Sequence, residues 1–220
     1  MAEDNVIGQA PDNTGAQESM TEALEARAVP DTPGLRLAKH AGVHLLVWMA
    51  TLGLFAAADS WYLLTGLGIA SLLGVLTGAL AGIATTNLVH EWFHYLGARF
   101  SGGAYTIPAK LGLFVYDWDF AANSRRQFFI MSGAGTLGGL VALVLLFNAV
   151  PGDTLGRAAL LGGAVASFVF GSCVEWPVLK RTRDGGEPFT ELAKIDEKVL
   201  ARSFVASAFA GVVTTLLITP

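Results

Sequence analysis

Long apolar runs without charged residues alternate with short polar segments along most of the chain. No Asp, Glu, Lys or Arg occurs in residues 40–58, 60–89, 127–152, 158–174 and 203–220. A helix of about 20 apolar residues crosses the roughly 30 Å hydrocarbon core of a bilayer, so such runs predict membrane-spanning helices. The pattern predicts an all-α polytopic membrane protein with about five transmembrane helices, over about residues 41–64, 69–99, 126–149, 157–180 and 203–219.

The uncharged region before residue 99 is too long for one membrane helix. As a single helix, residues 60–99 would extend about 60 Å, twice the thickness of the hydrocarbon core. The sequence Thr65-Gly66-Leu67-Gly68 has the composition of a turn, and we place the break there. A division into spans 61–82 and 83–99 is disfavoured, because it leaves the second span short and disturbs the distribution of basic residues.

Two segments between the long helices are predicted to have structure of their own. Residues 104–116 carry Tyr, Ile, Phe and Val around Pro108 and Gly112, a composition typical of short extended segments joined by turns. Residues 188–200 are predicted to form an amphipathic helix. We therefore expect a short β segment directly after the second long helix.

Composition agrees with a membrane protein and excludes several other classes. The chain is 53% hydrophobic and 15% charged, with a mean hydropathy of +0.52. Nothing indicates a basic nucleic-acid-binding surface, and the single Cys173 excludes an internal disulfide or a cysteine-rich zinc site. Seven acidic residues lie within the first 31 positions. We therefore expect residues 1–38 to form a disordered acidic tail, and residues 39–220 to form an integral membrane domain.

Basic residues gather on one side of the predicted helices. Those before residue 40, those in 99–126 and those in 180–202 share one side, whereas the opposite loops carry only Arg157. Because cytoplasmic loops are enriched in Lys and Arg, we expect a cytoplasmic N terminus. The expected location is the lipid bilayer of a bacterial cytoplasmic membrane.

The end of the second predicted helix carries an H-E-x-x-H motif, His90-Glu91-Trp92-Phe93-His94. Residues four apart lie on one face of a helix, so His90 and His94 can bind the same metal ion. Two neutral imidazoles suit Zn²⁺, and the adjacent Glu91 is placed to accept a proton from water. Ionisable residues inside membrane helices are rare and indicate function. We predict that His90 and His94 bind zinc and that Glu91 is the catalytic base.

A catalytic zinc ion usually has three protein ligands, and depth in the membrane predicts the third. His94 lies five residues before Arg99, and Glu175 lies five residues before Lys180, on another helix running in the same direction. Glu175 should therefore reach the depth of the histidines, and Pro177 can kink its helix nearby.

Asp184, which is followed by Gly185 and Gly186, is the rival third ligand. Basic residues directly before it indicate the aqueous interface, although a re-entrant turn could return it to the site. Both candidates stay open, with Glu175 slightly favoured. The other two histidines, His40 and His44, have the same spacing but no neighbouring acid, so we interpret them as interfacial residues rather than as a second metal site.

Residues 90–102 read H-E-W-F-H-Y-L-G-A-R-F-S-G. This run resembles the active-site helix of the site-2 protease family of intramembrane zinc metalloproteases, H-E-x-G-H-x-x-x-A-x-x-x-G. Residues 132–135, S-G-A-G, resemble the start of that family's G-P-x-x-N segment, and 184–186 resemble the D-G-G that carries its third zinc ligand. The resemblance extends over about residues 74–186 and implies a divergent member. It favours Asp184 as the ligand, whereas depth favours Glu175.

The chain departs from the family pattern at three positions. Phe93 replaces the glycine of H-E-x-G-H, and Thr136 and Gly139 stand where proline and asparagine would be. The last two replacements concern a contact that positions substrate in the family.

Three functions are compatible with these features. The first is an intramembrane zinc endopeptidase that cuts a membrane-spanning protein substrate near the cytoplasmic face, after the substrate unwinds and pairs with residues 104–116. The second is a non-proteolytic scaffold of the same fold that binds zinc structurally or binds transmembrane partners. A metal transporter is the weakest, because few polar residues line the first, third and fifth helices. Nothing in the sequence predicts the oligomeric state.

Overall fold

Five long apolar helices dominate the structure, a computed structural model that describes residues 31–219. In chain order the helices are α1 (Pro33–Thr65), α2 (Gly68–Phe100), α3 (Arg125–Ala149), α4 (Leu155–Arg183), the short α5 (Pro188–Leu192) and α6 (Glu197–Ile218). All except α5 are long and apolar enough to cross a membrane. The predicted all-α polytopic fold class is confirmed.

Helix α1 begins earlier than the apolar pattern predicts. It starts at Pro33 rather than near residue 41, so residues 33–38 are helical and do not belong to the predicted tail. Proline suits the first turn of a helix, because the backbone N–H groups there have no acceptor within the helix and the missing N–H of proline costs no hydrogen bond. The rest of the predicted tail, residues 1–30, lies outside the described residues, and the described residues from Pro33 onward form one compact unit.

The turn between α1 and α2 lies where the sequence places it. Helix α1 ends at Thr65 and α2 begins at Gly68, and Gly66 has a φ of 67°, a left-handed conformation that glycine adopts without strain. Helix α2 then continues unbroken to Phe100, which excludes the division at residue 82.

The single amphipathic helix predicted over residues 188–200 is wrong. Helix α5 ends at Leu192, and α6 starts at Glu197 instead of residue 203. The side chain of Asp196 accepts a 2.8 Å hydrogen bond from the backbone N–H of Val199, so Asp196 caps the new helix. Aspartate at this position stabilises a helix start, which divides the segment into two elements.

The β segment after α2 is a minimal antiparallel hairpin. Strand β1 (Tyr105–Thr106) pairs with β2 (Asp117–Trp118), with Tyr105 opposite Trp118 and Thr106 opposite Asp117. The second strand lies just beyond the predicted range of 104–116. Residues 107–116, here called the hairpin loop, form an irregular excursion between the two strands.

Contacts between loops and helix ends define two sides of the helical bundle. On one side, the N-terminal half of α1 contacts the hairpin loop, and the Arg125 side chain donates a 3.3 Å hydrogen bond to the carbonyl oxygen of Gly185. On the other side, Asp59 near the end of α1 forms a 2.8 Å ion pair with Arg157 at the start of α4. The helices therefore alternate in direction, as five consecutive membrane spans require.

Helix α2 is central and packs against α1, α3 and α4. Its contact with α4 is made by small residues on both helices. A Cβ atom added at Gly82 would lie 2.8 Å from the backbone nitrogen of Ala164, and one added at Gly163 would lie 2.9 Å from the Cα of Ala79. Close backbone approach through glycine is a common way for membrane helices to associate.

Gly82→Leu should therefore destabilise the protein, because the new side chain meets the α4 backbone and not a flexible side chain. We expect the free energy of unfolding to fall by at least about 2 kcal/mol, measured by denaturant titration in detergent micelles. Gly53→Leu in α1 is the matched control, since a Cβ at Gly53 meets no atom within 4 Å. Equal stability of the two variants would contradict the close-packed α2–α4 contact.

Candidate metal centre

The two motif histidines converge about two to three helical turns before the end of α2. The Nε2 atoms of His90 and His94 lie 2.9 Å apart, and the planes of their rings are perpendicular. Their side chains are 12% and 11% exposed, so both lie mostly within the bundle. The i, i+4 spacing on a continuous helix is what brings the two nitrogen atoms together.

Helix α4 supplies the third group of the cluster. The Oε1 atom of Glu175 lies 2.7 Å from the Nε2 of His90 and 3.1 Å from the Nε2 of His94. The centre therefore contains three potential ligand atoms, two from α2 and one from α4. His90, His94 and Glu175 form the only group among residues 31–219 in which at least three His, Cys, Asp or Glu side chains could hold a metal ion.

Asp184 lies away from this cluster. It follows the last residue of α4, about 13 Å along the helix axis from Glu175. Its carboxylate is 58% exposed, and the nearest basic atom, the Nε of Arg183, is 3.7 Å away. The structure brings Glu175 and not Asp184 to the histidines.

The hydrogen-bond pattern of the centre fits a bound cation. The carbonyl oxygen of Met131 lies 3.0 Å from the Nδ1 of His94, and because a carbonyl only accepts, Nδ1 carries the proton. In neutral His94 the Nε2 lone pair then faces the Glu175 carboxylate, an arrangement of two acceptors that a cation between them stabilises. A backbone partner of this kind also orients histidine ligands in metal sites.

The distances and the remaining polar atoms agree with this interpretation. Three ligand atoms around a tetrahedral Zn²⁺ lie about 3.3 Å apart, so the observed 2.7–3.1 Å triangle needs only a slight expansion. The Oε2 atom of Glu175 is buried without a hydrogen-bond partner among the described residues. The residues present can therefore hold a metal ion.

Glycines of α3 make room for the histidine-bearing face of α2. A side chain at Gly135 would occupy the position of the His94 ring, and one at Gly138 would contact Phe93. Gly139 faces Phe168 and the Nδ1 of His90, and no side chain extends from this position toward the centre.

A cavity of about 420 Å³ opens beside the cluster, and Glu91 faces it. Its wall contains His94 and Glu175, together with β2 and aromatic residues of the segment between α2 and α3. Glu91 is 8% exposed and lies outside the potential ligand group. A carboxylate beside the cluster, yet outside the ligand set, is available for proton transfer in the cavity.

Tyr116 lines the same cavity and was not predicted as a site residue. Burial raises the pKa of the Tyr116 hydroxyl, and the nearby carboxylates of Glu91 and Glu175 raise it further. The hydroxyl is therefore protonated at neutral pH and can donate a hydrogen bond into the cavity. No sequence spacing links Tyr116 to the motif, because its position depends on the hairpin.

One face of α1 holds the hairpin loop through backbone carbonyls. Arg36, His40 and His44, spaced four residues apart, contact the carbonyl oxygens of Ile107, Pro108 and Gly112 at 3.2, 3.2 and 2.9 Å. We call these three side chains the carbonyl ladder. His40 is fully buried and His44 is 6% exposed. The hairpin loop folds over both histidines, and the apolar pattern of the sequence did not predict this burial.

The carbonyl ladder is connected to the metal centre through the motif itself. The indole N–H of Trp92 donates a 3.1 Å hydrogen bond to the Nδ1 of His44. His44 must then carry its proton on Nε2, from which it donates to Gly112. Trp92 lies between the two candidate ligands in sequence, so the helix that carries them is tied to the hairpin loop.

No protein-family model, no curated protein and no solved structure matches this chain.

His44→Phe should loosen the hairpin loop, because it removes the donor to Gly112 and the acceptor for Trp92. We expect amide hydrogen exchange in residues 107–116 to accelerate about fivefold. This factor corresponds to the net contribution of one hydrogen bond to stability, about 1 kcal/mol. Trp92→Phe should have a smaller effect, and Lys110→Gln, an exposed change in the same loop, should have none. Unchanged exchange in His44→Phe would show that the loop is held by other contacts.

Proposed function

We propose that the protein is a zinc-dependent endopeptidase that cleaves membrane-spanning protein substrates. The observation that carries the proposal is the convergence of His90, His94 and Glu175 beside Glu91, on helices that are long and apolar enough to span a membrane. Two histidines and one carboxylate suit Zn²⁺, and three protein ligands leave a coordination position for chemistry. The resemblance of residues 90–102 to the site-2 protease family supports the same reaction class.

The residues of the centre have separate roles in this proposal. His90, His94 and Glu175 would hold Zn²⁺, which when bound supplies Lewis-acid polarisation of the scissile carbonyl and of water. Met131 keeps His94 in the ligand tautomer through its carbonyl oxygen.

Glu91 would move the proton that hydrolysis requires. Water adds its oxygen to the carbonyl carbon, the C–N bond breaks, and one water proton must reach the leaving nitrogen. The Glu91 carboxylate accepts that proton and then donates it to the departing amine. Glu91 lines the cavity beside His94 and Glu175, and we assign both transfers to this one carboxylate.

The cavity would receive the substrate as an extended segment. A helix in a membrane hides its peptide bonds in internal hydrogen bonds, so it must unwind before hydrolysis. Strand β2 lines the cavity and is two residues long, and pairing along its edge would present the substrate backbone to Glu91 and the metal. The protonated Tyr116 hydroxyl would donate to a substrate carbonyl.

The distribution of basic residues supports one orientation in the membrane. Arg36, Lys110 and the basic end of α4 lie on the side of the hairpin loop, where the centre also lies. By the enrichment of basic residues in cytoplasmic loops, we place this side and the N terminus in the cytoplasm. Cleavage would then occur in the cytoplasmic third of the substrate. The location in a bacterial cytoplasmic membrane stays a prediction.

A non-proteolytic scaffold is the second candidate. It is favoured by Gly139, which offers no side chain where the family has an asparagine. Structural zinc sites, however, are usually closed by four protein ligands. The three-residue group beside an open cavity therefore favours catalysis.

Metal content tests the centre directly. The full-length chain purified in detergent should contain about one zinc ion, measured by elemental analysis against protein mass. Glu175→Gln should reduce zinc retention more than tenfold, because it removes one of three ligands. Asp184→Asn should retain it, since Asp184 is exposed at the end of α4. Loss of zinc in Asp184→Asn alone would show that Asp184, and not Glu175, is the third ligand. A folded wild type without zinc would exclude the metal centre.

Glu91→Gln separates the peptidase from the scaffold. We expect unchanged zinc content and a loss of about 10²- to 10⁴-fold in the cleavage rate of membrane-spanning peptides that carry Gly or Pro in their cytoplasmic third. Glu187→Gln, at an exposed carboxylate beyond the end of α4, should leave zinc and cleavage unchanged. Full cleavage by Glu91→Gln would rule out the proposed base.

A further inference from the structure

We propose that the groove between α3 and α4 is a binding site for an anionic glycerophospholipid. The groove has a volume of about 1180 Å³ and is open at the bundle surface. Its floor is mainly apolar, and one end carries two cations, Lys180 and Arg183. Trp176 lines the groove and Glu175 lines the cavity beside Glu91, and Leu179 is the one residue that borders both.

The groove follows one face of α4. Phe168, Val169, Cys173 and Trp176 recur at helical spacing along it, and Phe129 of α3 forms the facing wall. Trp176 is 53% exposed, so its ring is available to a molecule in the groove. An apolar floor of this kind suits a hydrocarbon chain.

The positions along α4 match the layers of one leaflet. Phe168 and Trp176 are separated by about 12 Å along the helix, close to the roughly 15 Å depth of hydrocarbon in one leaflet. Lys180 and Arg183 lie about 6 and 10 Å beyond Trp176, the depth of the headgroup region. Tryptophan is enriched at the boundary between these layers. The groove thus has the dimensions of an acyl chain that ends in a headgroup.

Charge selects the headgroup. Among the described residues, the groove wall contains two cations and no acidic side chain. Lys180 forms no ion pair within residues 31–219, and the contact between Arg183 and Asp184 is 3.7 Å long between largely exposed groups. A phosphodiester with net negative charge therefore meets one cation without an ion pair, Lys180, and one whose ion pair is long and exposed, Arg183. Basic pockets between membrane helices bind anionic lipid headgroups in the same way.

The same charges disfavour a substrate helix in this groove. Cytoplasmic flanks of membrane helices carry an excess of Lys and Arg. Such a flank would meet Lys180 and Arg183 and be repelled. The groove and the substrate cavity therefore serve different molecules, and the lipid site does not depend on peptidase activity.

Quenching of Trp176 fluorescence tests the site in the full-length chain. The protein is reconstituted into phosphatidylcholine vesicles that contain phosphatidylglycerol, with either lipid brominated near the carbonyl end of its acyl chain. The Trp176 signal is the difference between the wild type and Trp176→Phe. We expect brominated phosphatidylglycerol to reach half-quenching at a mole fraction at least about fivefold lower than brominated phosphatidylcholine, since each basic residue near the surface contributes about that factor.

Lys180→Gln/Arg183→Gln should abolish this preference and bring the ratio to about one. Lys198→Gln/Arg202→Gln is the matched control, because it removes one Lys and one Arg from exposed positions on α6, outside the groove. The control should keep the wild-type ratio. The proposal is overturned if the wild type quenches equally with both lipids, if the preference survives in the groove variant, or if the control loses it as well. Relief of quenching by a membrane-spanning peptide with basic flanks would instead assign the groove to a helix.

Discussion

The close approach of α2 and α4 is the constraint on which the candidate centre depends. Gly82 and Gly163 bring the two backbones into direct contact, and Glu175 lies about three turns further along α4. Metal ligands tolerate displacements of only a few tenths of an ångström. A side chain at either glycine would separate the helices by more than that. The ligand distances are therefore determined partly by packing in the middle of the bundle, away from the ligands themselves.

Polar groups within the bundle need partners from the protein itself, because the hydrocarbon of a membrane offers no water for hydrogen bonding. Asp59 is paired with Arg157 and also accepts a 2.9 Å hydrogen bond from the hydroxyl of Thr154. At the opposite end, the carbonyl ladder of α1 supplies donors to an irregular loop that lacks regular backbone pairing. The loop, in turn, covers His40 and His44, and leads into the strand that borders the cavity.

Local patterns were sufficient to predict much of this fold. The five spans follow from uncharged runs, and the turn at Gly66 follows from glycine in a region too long for one helix. The depth of Glu175 could be counted from the basic end of its helix, because helices of one protein cross the same membrane. That argument placed Glu175 level with His94, and the two side chains meet in the structure.

What the sequence did not predict depends on contacts between distant segments. The burial of His40 and His44 requires the hairpin loop to fold back over α1, across more than sixty residues of chain. Tyr116 reaches the cavity only because β2 pairs with β1. The single helix predicted over residues 188–200 was a local error of another kind, because the amphipathic pattern outweighed the signal from Asp196, which caps a new helix.

The attachment of α1 at both ends limits how molecules can reach the cavity. Near its N-terminal end, His40 and His44 bind the hairpin loop, and near its C-terminal end Asp59 is paired with Arg157. Asp59 is buried, so removing Arg157 would leave a buried carboxylate without its partner. Helix α1 is therefore anchored near both ends. A molecule that reaches the cavity from the bilayer would have to enter on the side of the bundle that α1 does not cover.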